Sequence, residues 1–196
     1  MAFPNDVLSS VTYSAPFRGA RNNSITHLRD YEDGGIALND PSQGLEYQQW
    51  HARLINNQVL VTAPNTAEFV LFSEPNLEEI SLAFDQNMRY CLAYVQSGQA
   101  KMKWYDTTVG NFATLTLPSG SITPRVSLDD KRSSQLGNSD IILAYVRDCN
   151  LYFRKQRDRF LIEYLLSSNV EYGLMKVGMN TLQRFQFEFD PFRPCS

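Results

Sequence analysis

The phrase Leu92-Ala93-Tyr94-Val95 recurs as Leu143-Ala144-Tyr145-Val146. The surrounding runs, LAFDQNMRYCLAYVQSGQAKMKWYD and VSLDDKRSSQLGNSDIILAYVRDCNLYFRKQRDRF, follow a similar order. The phrases lie 51 residues apart (143 − 92), whereas Asp85 and Asp129 lie 44 apart (129 − 85). The second run therefore reads as the first with a seven-residue insertion, which the polar stretch KRSSQLGNS accommodates. A self-similar unit of this length, made of short apolar runs separated by turn residues, argues for a repeated β-meander.

Within the first unit, Ser81–Asp85, Tyr90–Gln96, Gln99–Tyr105 and Phe112–Leu117 read as strands, with turns at Asn87-Met88, Ser97-Gly98 and Asp106–Asn111. In the second, Arg125–Asp129, Ile141–Arg147 and Leu151–Gln156 take the same places, and Asp148-Cys149-Asn150 holds the hairpin position of Ser97-Gly98-Gln99. Arg159–Leu166 is the expected fourth strand, although Phe160/Tyr164 and Leu161/Leu165 also sit at helical spacing. NLEEISLAF carries the same ambiguity.

Ahead of the repeat, WHARLI, VLVTAP and AEFVLF alternate with a period of two, Val59 and Val61 facing opposite to Leu60 and Thr62. Asn56-Asn57 suits a left-handed hairpin turn, and Pro64-Asn65 the next one. Behind it, Leu174–Val177 and Leu182–Phe189 flank the turn GMNT, and Phe185, Phe187 and Phe189 give the last strand one apolar face, read as intramolecular core.

The expected fold is thus all-β: antiparallel, propeller-blade-like meander units at 81–117 and 125–166 inside a domain spanning 50–196. The units are too few to close a propeller, so a β-sandwich or an incomplete propeller is expected. Residues 1–49 are rich in Gly, Pro, Asn, Asp and Ser. They read as a loop-rich N-terminal arm that wraps a neighbour or becomes ordered on assembly, with several short strands on the same domain as the alternative. Unfinished sheet edges favour an oligomer.

At 196 residues the chain suits one domain with an arm. Its 18 Lys+Arg against 21 Asp+Glu give −3, which argues against a general nucleic-acid binder. Cys91, Cys149 and Cys195 are odd in number and widely spaced, so neither a disulfide framework nor a zinc site is expected. Cys91 and Cys149 read as buried free thiols of a reducing compartment, and Cys195 as mobile. With no signal-peptide pattern and no apolar run approaching about 20 residues, a soluble product made in the cytoplasm is expected.

Chemistry is sparse. His27 and His51 have no companion ligands, and no GxSxG, HExxH, P-loop or dinucleotide pattern occurs. Asp85, Asp106, Asp129, Asp130 and Asp158 are the inviting carboxylates, since two acids facing one sugar can hydrolyse a glycoside. The repeat nevertheless places Asp85 and Asp129 equivalently at strand ends, where a carboxylate capping turn amides is sufficient explanation. The basic run Arg154-Lys155-Gln156-Arg157-Asp158-Arg159 is flanked by acids and reads as a solvated face or a source of subunit salt bridges. Tyr94, Trp104, Tyr105, Tyr145, Tyr152 and Phe153 read as core and cross-strand pairs, with a sugar-stacking platform as the alternative. No catalytic, cofactor or metal residue is assigned, and no cofactor is expected.

The motifs LAFDQNMRYCLAYV, KMKWYDTTV, SLDDKRSSQLGNSDIILAYVRDCNLYFRKQRDRF and KVGMNTLQRFQFEF, in this order over about residues 50–189, resemble a family of tailed-bacteriophage virion proteins. The resemblance implies a non-enzymatic structural component of the tail or neck, in several copies on the particle. Its partners would be other copies of itself and other virion tail or neck proteins, without sequence-specific nucleic-acid binding or membrane insertion. A receptor-contacting, glycan-binding module of a tail fibre is the alternative, and a glycosidase-like tail enzyme a third reading.

Overall fold

A computed structural model of the chain describes residues 32–39, 46–62, 67–85, 89–129, 140–179 and 185–195; at 32–49, 128–129, 178–179 and 185–186 it describes the backbone alone. These residues form four antiparallel sheets, each a meander in which neighbours in sequence are neighbours in space. The first sheet holds β1 (Glu32–Asn39), β2 (Glu46–Ile55), β3 (Gln58–Thr62) and β4 (Phe69–Ser73). The second holds β5 (Leu77–Phe84), β6 (Tyr90–Gln96), β7 (Gln99–Asp106) and β8 (Asn111–Thr116). The third holds β9 (Ile122–Asp129), β10 (Asp140–Arg147), β11 (Asn150–Lys155) and β12 (Tyr164–Ser167), and the fourth only β13 (Tyr172–Met179) and β14 (Phe185–Pro194). The protein is all-β, and its four sheets form an open array that does not close on itself.

Hydrogen-bond register carries the repeat into three dimensions. Leu82 lies opposite Leu92, and Val126 opposite Leu143. These pairs reproduce the offsets of 44 and 51 seen in the sequence. Lys103 opposite Leu92 and Arg154 opposite Leu143 continue the match into the third strand of each unit. Turn chemistry agrees. Asn56-Asn57, Ser97-Gly98 and Asp148-Cys149 all take positive φ, the left-handed geometry that suits a two-residue hairpin to twisted strands.

Period-two alternation then stacks the sheets face to face. Leu92 and Tyr94 pack with Ala52, Val59, Val61 and Phe72 of the first sheet. Ala93 and Val95 face the other way, with Met102 and Trp104, onto Val126, Leu143 and Tyr145 of the third sheet. Ala144 and Val146 in turn meet Leu174 and Val177 of the fourth, joined by Phe187 and Phe189. Each copy of the phrase thus gives its leucine and tyrosine to the preceding sheet and its alanine and valine to the following one. Both faces are buried, so the strands read as continuous apolar runs. The first strands β5, β9 and β13 run along one another at the inner side of the stack, with β1 against β5. The apolar face of the last strand is intramolecular core at Phe187 and Phe189, as its alternation predicts.

Three expectations need correction. The segment assigned to a loop-rich arm contains β1 and the start of β2, so the boundary at residue 50 falls inside a strand. Its turn-rich composition hid two strands that pair with each other. His27, Asn87-Met88, Pro64-Asn65, Asp130, the polar insertion after it and the expected turn at Asn180 lie outside the described residues. The expected strand Arg159–Leu166 begins only at Tyr164. A single 3-10 turn (Gln156–Asp158) follows β11, and Arg159 and Phe160 take φ of 52° and 57°. The physical cause is burial of Phe160, which leaves the strand path to pack edge-on against Trp104 with ring centroids 5.3 Å apart. The third correction concerns the cysteines: Cys149 and Cys195 form a disulfide, tying the β10–β11 turn to the end of β14. Cys91 is the buried free thiol expected, and burial pushes its ionisation well up, keeping it protonated.

Close approach of the inner strands depends on one glycine. A Cβ on Gly173 would stand 2.8 Å from Thr123 Cγ2 and 3.1 Å from its Oγ1. That same Oγ1 accepts the Leu174 N–H at 2.8 Å. Thr123 is buried and itself adopts φ 50°, unusual for a β-branched residue. Gly173→Ala is therefore expected to destabilise by about 1–3 kcal/mol through overpacking, read as a lower urea midpoint. Adding Thr123→Ser, which removes Cγ2 and keeps the acceptor, is expected to restore part of the loss.

Candidate functional site at the sheet junctions and rims

Polar side chains collect where inner strands meet. Ser81 Oγ on β5 accepts the Val126 N–H of β9 at 3.1 Å. Arg125, at the repeat position of Ser81, does the corresponding work one sheet later, donating from Nε to the Met175 carbonyl of β13 at 2.9 Å. Its Nη1 donates to the Pro124 carbonyl at 2.9 Å, and its Nη2 pairs with Glu79 on β5. Arg193 on β14 reaches the other Glu79 oxygen at 2.8 Å. The Arg125 side chain is 2% exposed and that of Glu79 9%. One carboxylate and two guanidinium groups therefore join the second, third and fourth sheets, the planar arginine fork serving geometry that a lysine could not.

A second network closes the outer part of the third sheet. Glu163 receives two hydrogen bonds from Arg147, at 2.9 and 2.8 Å, one from Arg154 at 3.2 Å, and the Tyr145 hydroxyl. Arg154 Nε also donates to the Tyr145 oxygen at 2.9 Å. Burial raises the Tyr145 ionisation well above the tyrosine range, and the bond to Glu163 adds to the rise. For Glu163, burial pushes upward, but Arg147, Tyr145 and Arg154 outweigh it and hold the carboxyl below its usual value. A depressed carboxylate contributes stability that is present above its unfolded pKa and lost as pH falls through the folded one. Glu163→Gln is expected to cost about 2 kcal/mol at neutral pH, the scale of hydrogen bonds to charged groups. The difference from the parent should shrink below the ordinary value of 4.5, as melting temperatures measured between pH 7 and pH 3 would show.

Of the inviting carboxylates, Asp85, Asp106 and Asp158 are individually occupied. Asp85 caps its turn: its Oδ1 accepts the Arg89 N–H at 3.0 Å and its Oδ2 accepts Arg89 Nε at 2.8 Å. Asp106 takes two bonds from Arg159 across the second and third sheets, at 3.1 and 2.6 Å. Arg159 is the first cause of its depressed ionisation. Asp140 holds Arg157, and Asp158 accepts the Tyr164 hydroxyl at 2.9 Å. The side chain of Asp129 lies outside the described ones; its backbone pairs with Asp140. Of the basic run, Arg154 pairs with the nearby Glu163 as the sequence flanks suggest, whereas Arg157 goes to Asp140 on β10 and Arg159 to Asp106 on the second sheet. Among the described residues no group of three or more His, Cys, Asp or Glu is placed to hold a metal ion, and His51 is exposed.

The aromatic candidates divide in two. Tyr94, Trp104 and Tyr145 are buried in the sheet interfaces. Tyr152 stacks on Tyr145 with Arg147 over its ring, and Phe153 stacks on Tyr164. Tyr105 meets Phe112 edge-on, Phe112 stacks on Tyr90 at 4.5 Å, and Arg89 covers the Tyr105 ring. Trp104 is consequently unavailable to a sugar, while the Tyr90–Phe112–Tyr105 group reaches the surface at Phe112.

Sequence reading missed Glu79, Arg125 and Arg193. The available signal was a charge directly beside an apolar β-branched residue within a strand, Arg125 before Val126 in ITPRVSLD and Glu79 before Ile80 in LEEISLAF. It also missed the rims. Leu161, Ile162, Leu165 and Leu166 are 66, 50, 59 and 45% exposed along the outer edge of the third sheet, and Phe69 and Val70 are 37 and 48% exposed on that of the first. No protein-family model matches the sequence, and no curated protein is significantly similar to it. No helix among the described residues is long and apolar enough to cross a membrane.

Proposed function

We propose that this chain is a non-enzymatic structural protein of a tailed-bacteriophage particle, a multicopy component of the tail or neck that works through subunit contacts. The observation that carries the reading is the distribution of its surface chemistry. The carboxylates at the sheet junctions are engaged by arginines, while large aliphatic side chains stand exposed on outer edge strands. Exposed edges and apolar patches of this kind suit association rather than catalysis. The motif order quoted above supplies the virion context. Localisation in the particle, assembly from copies made in the host cytoplasm, and partners among other tail or neck proteins all belong to this proposal.

A receptor-contacting glycan-binding module is the second reading, favoured by the Tyr90–Phe112–Tyr105 surface group alone. The test is quantitative mass spectrometry of purified particles followed by localisation in an averaged particle image. Several copies per particle at the tail or neck are expected. Absence from particles, or depolymerisation of host polysaccharide by the purified chain, would overturn the structural reading. Stoichiometric glycan binding lost in Phe112→Ala would move the assignment to the second.

A further inference from the structure

Equivalent hairpins in the first three sheets provide a comparison for Cys149. Asn57, Gly98 and Cys149 each hold the second position of a two-residue turn, with φ of 63°, 74° and 53°. Glycine and asparagine tolerate this left-handed geometry, whereas a cysteine there works against the turn. The hairpin itself therefore does not call for Cys149, and its sulfur serves a contact elsewhere. That contact is Cys195, directly after β14. The two thiols are brought together by contacts that do not need the bond. The Cys149 carbonyl accepts the Val170 N–H at 2.8 Å, and the Glu171 carbonyl accepts the Cys195 N–H at 3.1 Å. Pro194 lies in register with Tyr172, and Arg193 reaches Glu79 at 2.8 Å. The Cys195 sulfur also stands 3.0 Å from the Val170 carbonyl oxygen. A disulfide sulfur has no hydrogen to give that oxygen, but a thiol has, so the dithiol form has a partner for its S–H.

The same contacts are weak enough to open. They amount to a few backbone hydrogen bonds at the end of a two-stranded sheet and an ion pair from an arginine that is half exposed. Cys149 and Cys195 are both half-buried, within reach of a small thiol, while Cys91 is buried. We infer that Cys149 and Cys195 form a redox-operated latch: the chain folds as a dithiol with its fourth sheet in place, and closing or opening the bond fixes or frees the end of β14. In closing, the thiolate of one cysteine attacks a sulfur of a low-molecular-weight disulfide such as oxidised glutathione. One glutathione thiolate leaves and a mixed disulfide remains. The thiolate of the other cysteine then attacks the protein sulfur of that mixed disulfide and expels the second glutathione. The cysteines give up two protons and two electrons, and the oxidised glutathione takes them up. Opening by reduced glutathione runs the same steps in reverse. The latch is thus open in a reducing compartment and closed outside one. Neither state depends on the proposed function.

The test incubates the full chain at set ratios of reduced to oxidised glutathione, followed by alkylation, mass spectrometry and amide exchange. In excess reduced glutathione, Cys149 and Cys195 should be alkylated and Cys91 left unmodified, with the strand signal in circular dichroism unchanged. Amide exchange over residues 187–195 should rise roughly tenfold or more, while β6 and β10 keep their protection. Transfer to oxidised glutathione should restore both the bond and the protection. Cys149→Gly, which places at this turn the residue that Gly98 supplies in the second sheet, should exchange like the reduced chain in either mixture. Cys195→Ser should do the same, and the pair keeps the test readable where one variant accumulates poorly. Reduction that unfolds the whole chain or exposes Cys91 would make the bond a staple of the fold and overturn the latch. Unchanged protection of residues 187–195 after reduction, or a folded reduced chain that does not close again under oxidised glutathione, would overturn it as well.

Discussion

Arg125→Met is expected to lower the stability of the protein by about 3–5 kcal/mol, the scale of a buried ion pair broken by removing one partner. The loss has three parts. Glu79, with its side chain 9% exposed, keeps only the half-exposed Arg193 as a cation. The Met175 carbonyl on β13 loses its donor, and so does the Pro124 carbonyl. Since domains of this size are stable by only about 5–15 kcal/mol, the effect should be visible in urea titration as a large fall in midpoint. Arg125→Lys keeps the charge without the fork and should fall between parent and methionine variant, providing a graded reading where the latter fails to accumulate. Glu79→Gln combined with Arg125→Met should be less damaging than the sum of the two, because the buried charge is removed with its partner. Arg193→Ala, acting from a position 48% exposed, should cost no more than about 1 kcal/mol. An Arg125 variant as mild as the Arg193 one would mean that the inner seam does not hold the sheets together.

Reduction of the Cys149–Cys195 disulfide is expected to cost about 4 kcal/mol in the chain-entropy account of a loop closed over 46 residues. That loop contains the fourth sheet, which among the described residues has two strands and little core of its own. The bond ties its last strand to the β10–β11 turn of the third sheet, while the Cys195 N–H donates to the carbonyl of Glu171, directly before β13, at 3.1 Å. Melting curves with and without a thiol reductant, and of Cys149→Ser, should shift downward together. Amide exchange should rise first in β13 and β14. Cys91→Ser is the control for the remaining buried thiol and should leave the reductant response intact. An unchanged melting temperature on reduction would show that the seam alone retains the fourth sheet.

How much of this was legible follows from the range of the interactions involved. The two offsets of the LAYV repeat reappear in the sheet registers because register is set by which face of a strand is apolar. The hairpins at Asn56-Asn57 and Ser97-Gly98 were readable because φ above zero is a property of one or two residues. Asp85 was readable as a turn-maker for the same reason, its partner Arg89 being four residues away. The strand displaced at Arg159–Leu166 was not, since the local pattern serves strand and helix alike and the outcome depends on Trp104 receiving Phe160. The first sheet was only half seen: β1 carries two glycines in an apolar stretch too short to outweigh its turn-rich surroundings.

By itself, then, the sequence determined the all-β class, the two related meander units, their turns, and the division of each LAYV phrase between two faces. Those features depend on backbone dihedral preferences and on a period of two, both written in consecutive residues. Tertiary structure alone decided that Cys149 meets Cys195, that Glu79 gathers Arg125 and Arg193 from 46 and 114 residues away (125 − 79 and 193 − 79), and that four aliphatic residues remain exposed on the third sheet. Partners so distant in sequence are chosen by how whole sheets stack, and stacking is a property of their combined surfaces.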